Sequence, residues 1–156
     1  MNRCVILAGV VAATVAASAW AGEPPVRIVD GDGLTIGELR VRLWGIDAPE
    51  LDQTCERGGS EYACGVIARE VLRGLVADDK PACRTVNRDR YGRIVARCTV
   101  AGHDLGSMMV NAGWAVDYRR YSSGTYQLEQ ERAQDAGRGL WGGIFVPPWE
   151  WRKQTR

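Results

Sequence analysis

Five consecutive residues, Leu39-Arg40-Val41-Arg42-Leu43, alternate apolar and cationic side chains without a break. A period of two commits them to an extended strand with one buried face, because successive side chains of a strand point to opposite sides. On either side of this strand the chain turns. Upstream stands Asp30-Gly31-Asp32-Gly33 and downstream Asp47-Ala48-Pro49-Glu50. Asp, Gly and Pro suit tight turns whether or not anything binds there. Carboxylates presented from rigid flanks are also what a hard cation requires, and a strand-held Arg42 between them is fixed by the sheet.

A second segment far along the chain, Asp89-Arg90-Tyr91-Gly92-Arg93, supplies another arginine at a turn. Two carboxylates, a third acid and two arginines suit phosphodiester hydrolysis. A divalent ion would polarise the phosphate, a carboxylate would take a proton from water, and guanidinium groups would hold charge building on the phosphoryl oxygens.

The segments VDGD, RLWGIDAPE, CGVIAREVL, DRYGR, AGWAV and GLW with PPWEW occur in that order. Together they resemble the thermonuclease (staphylococcal nuclease-like) family, over nearly all of the chain after about Pro25, and RLWGIDAPE with DRYGR is the specific pair. The resemblance implies an α+β, mainly β fold, a five-stranded OB-fold barrel with about three packed helices, whose open face commonly takes oligonucleotides. It also implies a Ca2+ ion held by Asp32, Asp47 and the carbonyl of Ala48. Calcium accepts six to eight oxygens at loose geometry, so water and phosphate would complete its shell. Glu50 falls where the family has the acid that activates water, and Arg42 and Arg93 match its phosphate-binding arginines. Tyr91 and Tyr118 fall near the rings beside the nucleotide, although the spacing before Tyr118 differs by about a residue. A structural tyrosine is the competing reading there. The family usually carries threonine where Gly33 stands, which implies a looser turn and a weaker-bound ion.

The expected activity is that of a calcium-dependent, secreted or periplasmic nuclease leaving 3′-phosphorylated products. DNA and RNA are its expected substrates, single strands preferred, and a monomer is expected. The alternative is a non-catalytic OB-fold nucleic-acid-binding module, and a further rival is a structural protein whose acids and arginines merely pair. A binder has no need for a water-activating acid, which favours the enzyme.

Residues 1–21 have a lone Arg3, an apolar run from Val5 to Ala17 and small residues up to Ala21, the pattern of a cleaved secretory signal. The apolar run is short for a membrane span, and no stable membrane anchor is expected. Residues 22–156 then form a single domain with enough chain for a core. Losing Arg3 takes the formal charge from +1 to 0, which argues against binding nucleic acid by bulk electrostatics. Arg84, Arg88, Arg90, Arg93 and Arg97 are bunched, with a solvated hairpin as the plain reading for all but Arg93.

Cys55, Cys64, Cys83 and Cys98 remain after cleavage, an even number in an exported chain, which suggests two disulfides. Three pairings are open. The favoured one joins Cys55 with Cys64, closing a loop containing Gly58-Gly59, and Cys83 with Cys98, which a hairpin centred near Asp89 to Gly92 would bring together. A zinc site is disfavoured because there is no Cys-x-x-Cys and one histidine. That histidine, His103, sits in a polar turn and reads as solvated.

Strands are predicted over Val26 to Val29, Leu34 to Ile36, Leu39 to Trp44, Cys83 to Val86 and Arg93 to Val100. From Tyr62 a helical period places Val66, Ile67, Val71, Leu72, Leu75 and Val76 on a stripe that would close the end of the sheet. Helices follow over Leu105 to Ala112, capped by Asp104 and stopped by Gly113, and over Tyr126 to Gln134. Trp141, Trp149 and Trp151 surround Pro147-Pro148 in the tail. A base-stacking surface is one reading; an arm folding back onto a groove of the body is the better one, because large aromatics usually act through burial.

Overall fold

The computed structural model describes residues 24–155, and the expected signal segment lies outside them. In chain order the elements are β1 (Val26–Ile28), β2 (Gly33–Ile36), β3 (Leu39–Leu43), β4 (Ile46–Asp47), β5 (Cys55–Arg57), β6 (Ser60–Tyr62), α1 (Cys64–Val76), β7 (Ala82–Arg88), β8 (Ile94–Val100), β9 (His103–Asp104), α2 (Leu105–Asn111), β10 (Val116–Asp117), α3 (Arg119–Ser122), α4 (Gln127–Asp135), a 3-10 turn at Gly139–Gly142, and α5 (Pro148–Gln154).

The main sheet runs β1-β2-β3-β8-β7, with β9 beside β8, and curls into the half-barrel of an OB-fold. Its first three strands are an antiparallel meander, after which β3 takes β8 as a parallel neighbour. Alternation in β3 holds from Arg40 onward: Val41 and Leu43 are buried while Arg40 and Arg42 face away from the core, and Leu39 at the start of the strand is exposed. On the inner face Leu34, Val41, Leu43, Ala96, Cys98 and Val100 pack against Ala68, Leu72 and Val76 of α1 and Leu105, Met109 and Val110 of α2. Asp104 caps α2, its carboxylate accepting the backbone N–H of Ser107 at 2.9 Å.

The five long strands and three of the helices lie where the sequence places them, to within a few residues. Two further α-helices, α3 and α5, are present among the described residues. The stretch around Gly58-Gly59 is a hairpin rather than a plain loop, because β5 and β6 pair across it. That hairpin takes Tyr62 as the partner of Cys55 and delays the helix start to Cys64.

The buried face of α1 also differs from the expected stripe. Cys64, Gly65, Ala68, Leu72 and Val76 are inward, while Ile67 is 37% exposed. Small residues face inward where the approach is closest, which a count of bulky apolar residues does not register.

Both disulfides have the favoured pairing. Cys55–Cys64 ties β5 to the first residue of α1, and Cys83–Cys98 joins directly opposed residues of β7 and β8. None of the described helices is long and apolar enough to cross a membrane.

Candidate active site

The two acidic bends meet over α1. Antiparallel pairing sets Gly33 opposite Arg42, and the N–H of Leu43 donates to the carbonyl of Asp32 at 2.7 Å. A Cβ on residue 31 would lie 2.6 Å from the Ala48 Cβ and 2.9 Å from the Ala68 Cβ. Only glycine therefore lets the first bend settle between the second bend and the helix. Ala48 N–H then donates to Asp32 Oδ2 at 3.2 Å, and Arg42 Nη2 reaches Asp47 Oδ1 at 2.8 Å and Asp32 Oδ2 at 3.2 Å. Arg42, Asp32, Asp47 and Ala48 are thus one cluster.

Gly33 has a local reason as well. A side chain there would meet Asp30 Oδ1 at 2.7 Å, and that oxygen accepts the N–H of Asp32 at 3.1 Å. The N–H of Val29 donates to the Gly33 carbonyl at 2.9 Å. The missing side chain therefore makes room for an acid that ties the turn.

Burial raises the Asp32 carboxyl, the Arg42 charge draws it back and the neighbouring Asp30 and Asp47 raise it again, which leaves it at about 8. Arg42 is held above its ordinary range, chiefly by the charge of Asp32 and despite its own burial. Asp32 and Asp47 are both buried. Hard oxygen donors that repel one another in a dry pocket suit a hard dication. Among the described residues no group of three or more His, Cys, Asp or Glu is placed to hold a metal. A cation at the two aspartates would complete its shell with a backbone carbonyl, water and substrate.

Glu50 stands at the rim of this cluster on a supported backbone. Gln53, fully buried, accepts the Glu50 N–H through Oε1 at 3.3 Å and donates through Nε2 to the Val146 carbonyl at 2.7 Å. A Cβ at position 65 would lie 1.7 Å from the Glu50 carbonyl oxygen, so α1 packs directly on the acid's backbone. The helix positions both bends in addition to closing the sheet.

A residue outside the expected set also enters the cluster. Arg152 of α5 donates from Nη1 to Asp47 Oδ1 at 3.0 Å and Glu50 Oε1 at 2.6 Å, and from Nη2 to Asp47 Oδ2 at 2.7 Å. Its separation from Glu50 is 102 residues, and the one available signal was a cation beside the tail tryptophans. The tail does fold back onto the body, but as a helix that carries this cation. Trp149 stacks on Tyr118 with centroids 5.4 Å apart and planes 3° from parallel, so one face of Tyr118 is already covered.

Arg93 is not drawn into the cluster. Its Nε donates to Asp89 Oδ2 at 2.7 Å, and Asp89 Oδ1 accepts the N–H of Tyr91 at 2.9 Å and of Arg93 at 3.0 Å. The backbone is nonetheless close. Val95, two residues on, is the register partner of Arg42, so Arg93, at the turn leading into β8, lies about 6.6 Å along the ladder from the position opposite Arg42. Tyr91 is 52% exposed at the same tip. His103 is exposed.

The staphylococcal nuclease homologue family matches residues 40–143. A succinoglycan biosynthesis protein, ExoI, of Rhizobium meliloti is 36% identical over 129 residues, covering 79% of this chain and 68% of that protein. An uncharacterized endonuclease of Escherichia coli is 34% identical over 134 residues, covering 81% and 82% respectively. A probable staphylococcal-like nuclease, CAN1, of Oryza sativa subsp. japonica is 31% identical over 138 residues, covering 87% of this chain and 39% of that one. The chain belongs to the staphylococcal nuclease homologue family and is a phosphodiester-hydrolysing nuclease.

Proposed function

We propose that this nuclease depends on calcium, acts on DNA and RNA with a preference for single strands, and leaves 3′-phosphorylated products. The observation that carries this reading is the buried Asp32–Arg42–Asp47 cluster with Glu50 at its rim. Asp32, Asp47 and the Ala48 carbonyl would hold the ion. When bound it supplies positive charge that polarises the scissile phosphate. Glu50 accepts the proton of the attacking water. Arg42 and Arg93 hold phosphoryl oxygens, each through a planar fork that a lysine does not reproduce. Arg93 must leave Asp89 to do so. Tyr91 offers an exposed ring to a base, and stacking of that kind tolerates any base. Tyr118, stacked on Trp149 and in T-shaped contact with Tyr121, serves the same nucleotide or stays structural.

Two disulfides are compatible with an oxidising compartment. We take residues 1–21 as a secretory signal, residues 22–156 as one domain, and the mature protein as a secreted or periplasmic monomer.

The test is digestion of single-stranded DNA with calcium, with chelator and with the Glu50→Gln variant. Wild type should cut with calcium and stop with chelator, and the variant should lose about 10²–10³ in rate, the scale of general-base and oxyanion contacts. Cleavage in chelator, or an unimpaired variant, would overturn the assignment.

A further inference from the structure

Asp47 is the most completely engaged acid of the cluster. Its Oδ1 accepts from both Arg42 and Arg152, and its Oδ2 accepts from Arg152. A carboxylate oxygen has two in-plane lone pairs, so Oδ1 has none left for a metal and Oδ2 has one. The Asp47 side chain has no solvent exposure, and Arg152 lies over it. The same Nη1 that covers Asp47 also holds Glu50. A single guanidinium thus occupies the acid proposed to bind the cation and the acid proposed to activate water.

A dication on Asp47 and the Arg152 guanidinium would be like charges sharing one carboxylate, an arrangement that strongly disfavours the pair. The helix bearing Arg152 is short and is anchored by Pro148, which is buried, and by Trp149 against Tyr118. Docking it also buries the indole N–H of Trp151 without a protein acceptor. The ionic contacts of Arg152 add to these anchors in holding the helix docked.

We propose that Arg152 is a built-in counter-cation that closes the site: its guanidinium fills the Asp47–Glu50 gap, and a divalent cation binds by displacing it, which frees Glu50 and the two Asp47 contacts that Arg152 makes while Arg42 keeps its own. This rests on the assignment of Asp32 and Asp47 as the metal site under Proposed function. Metal affinity is then the difference between the intrinsic affinity of the acids and the affinity of Arg152 for them.

Calorimetric titration of the full mature chain with calcium chloride, in wild type, Arg152→Lys and Arg152→Gln, tests it without reference to activity. Affinity should rise from wild type through the lysine to the glutamine variant, by about tenfold or more overall, since a bidentate charge-assisted competitor is removed. The intrinsic tryptophan emission of the wild type should change on saturation, because Trp149 and Trp151 flank the displaced residue. The lysine variant keeps the charge and guards against a glutamine variant that does not fold. Equal or weaker calcium binding by the glutamine variant, no binding by any of the three, or unchanged emission at saturation would overturn the proposal. Calcium-dependent DNA cleavage by the wild type, measured alongside, separates the two readings. With calcium-dependent cleavage intact and affinities equal, the counter-cation fails alone; with affinities ordered and no calcium-dependent cleavage, the calcium-dependent mechanism fails alone.

Discussion

Arg42 is held by two buried carboxylates from separate bends, whereas Arg93 is held by one carboxylate four residues away in its own turn. The first arrangement is assembled by the sheet and by α1, and folding itself builds it. The second is complete within five residues and asks nothing of the rest of the molecule. Identical guanidinium chemistry therefore rests on a rigid support in one place and on an exposed hairpin tip in the other. If both arginines grip one phosphate, Arg42 waits in position and Arg93 exchanges partners to reach it.

The largest expected effect lies in the rigid half. Asp47→Asn leaves Arg42 and Arg152 facing a neutral amide, and removal of one partner from a buried ionic set costs about 3–5 kcal/mol. Urea unfolding should show this as a lower midpoint, with cleavage also lost. A variant as stable as wild type would mean that the cluster is not what joins the two bends.

Next comes the paired test of the two arginines. Arg42→Lys should lower both stability, by about 1–3 kcal/mol, and activity, because a buried fork is replaced by a point charge. Arg93→Lys should lower activity by about 10²-fold while stability stays within about 0.5 kcal/mol of wild type. Matching stability losses would mean that the two arginines rest on equally rigid supports.

Asp89→Ala probes the tip alone. It removes one surface ion pair and two turn hydrogen bonds, and unfolding should register a loss of about 1 kcal/mol or less. The pH responses of the two halves should run in opposite directions. Burial, drawn back by the Arg42 charge, leaves the Asp32 carboxyl raised to about 8, so the stability this group contributes falls as pH rises from about 4 toward 8. For Asp89, slight burial raises the carboxyl, but hydrogen bonds from the Arg93 side chain and from the N–H groups of Arg93 and Tyr91 leave it lowered overall. The tip's contribution is therefore present above the ordinary carboxylate range and is lost as pH falls through the lowered value. Carboxyl-carbon NMR titration of the metal-free protein should separate the two residues in this order.

The rigid half was also the more legible in sequence. Leu39 to Leu43 alternates cleanly, and Asp30, Asp32, Asp47 and Glu50 lie within 21 residues of one another, so local pattern was enough to propose that they meet. Three features escaped that logic. Gly31, Gly65 and Ala68 govern how closely the bends approach, yet a small residue leaves no trace in a hydrophobic period. Gln53 looks like an ordinary polar loop residue until burial shows it joining Glu50 to Val146. Arg152 is separated from its partners by about a hundred residues, in a tail whose tryptophans gave the stronger signal. Each depends on contacts between distant segments, which periodicity does not encode.

A crystal structure of the protein with calcium and a nucleotide bisphosphate tests the shared-phosphate claim most directly. Asp32, Asp47 and the Ala48 carbonyl should lie within about 2.3–2.6 Å of the ion, with Arg42 and Arg93 on the same phosphate and Glu50 beside the water that faces phosphorus. An ion bound elsewhere, or Arg93 still paired with Asp89 while the phosphate rests on Arg42, would contradict it.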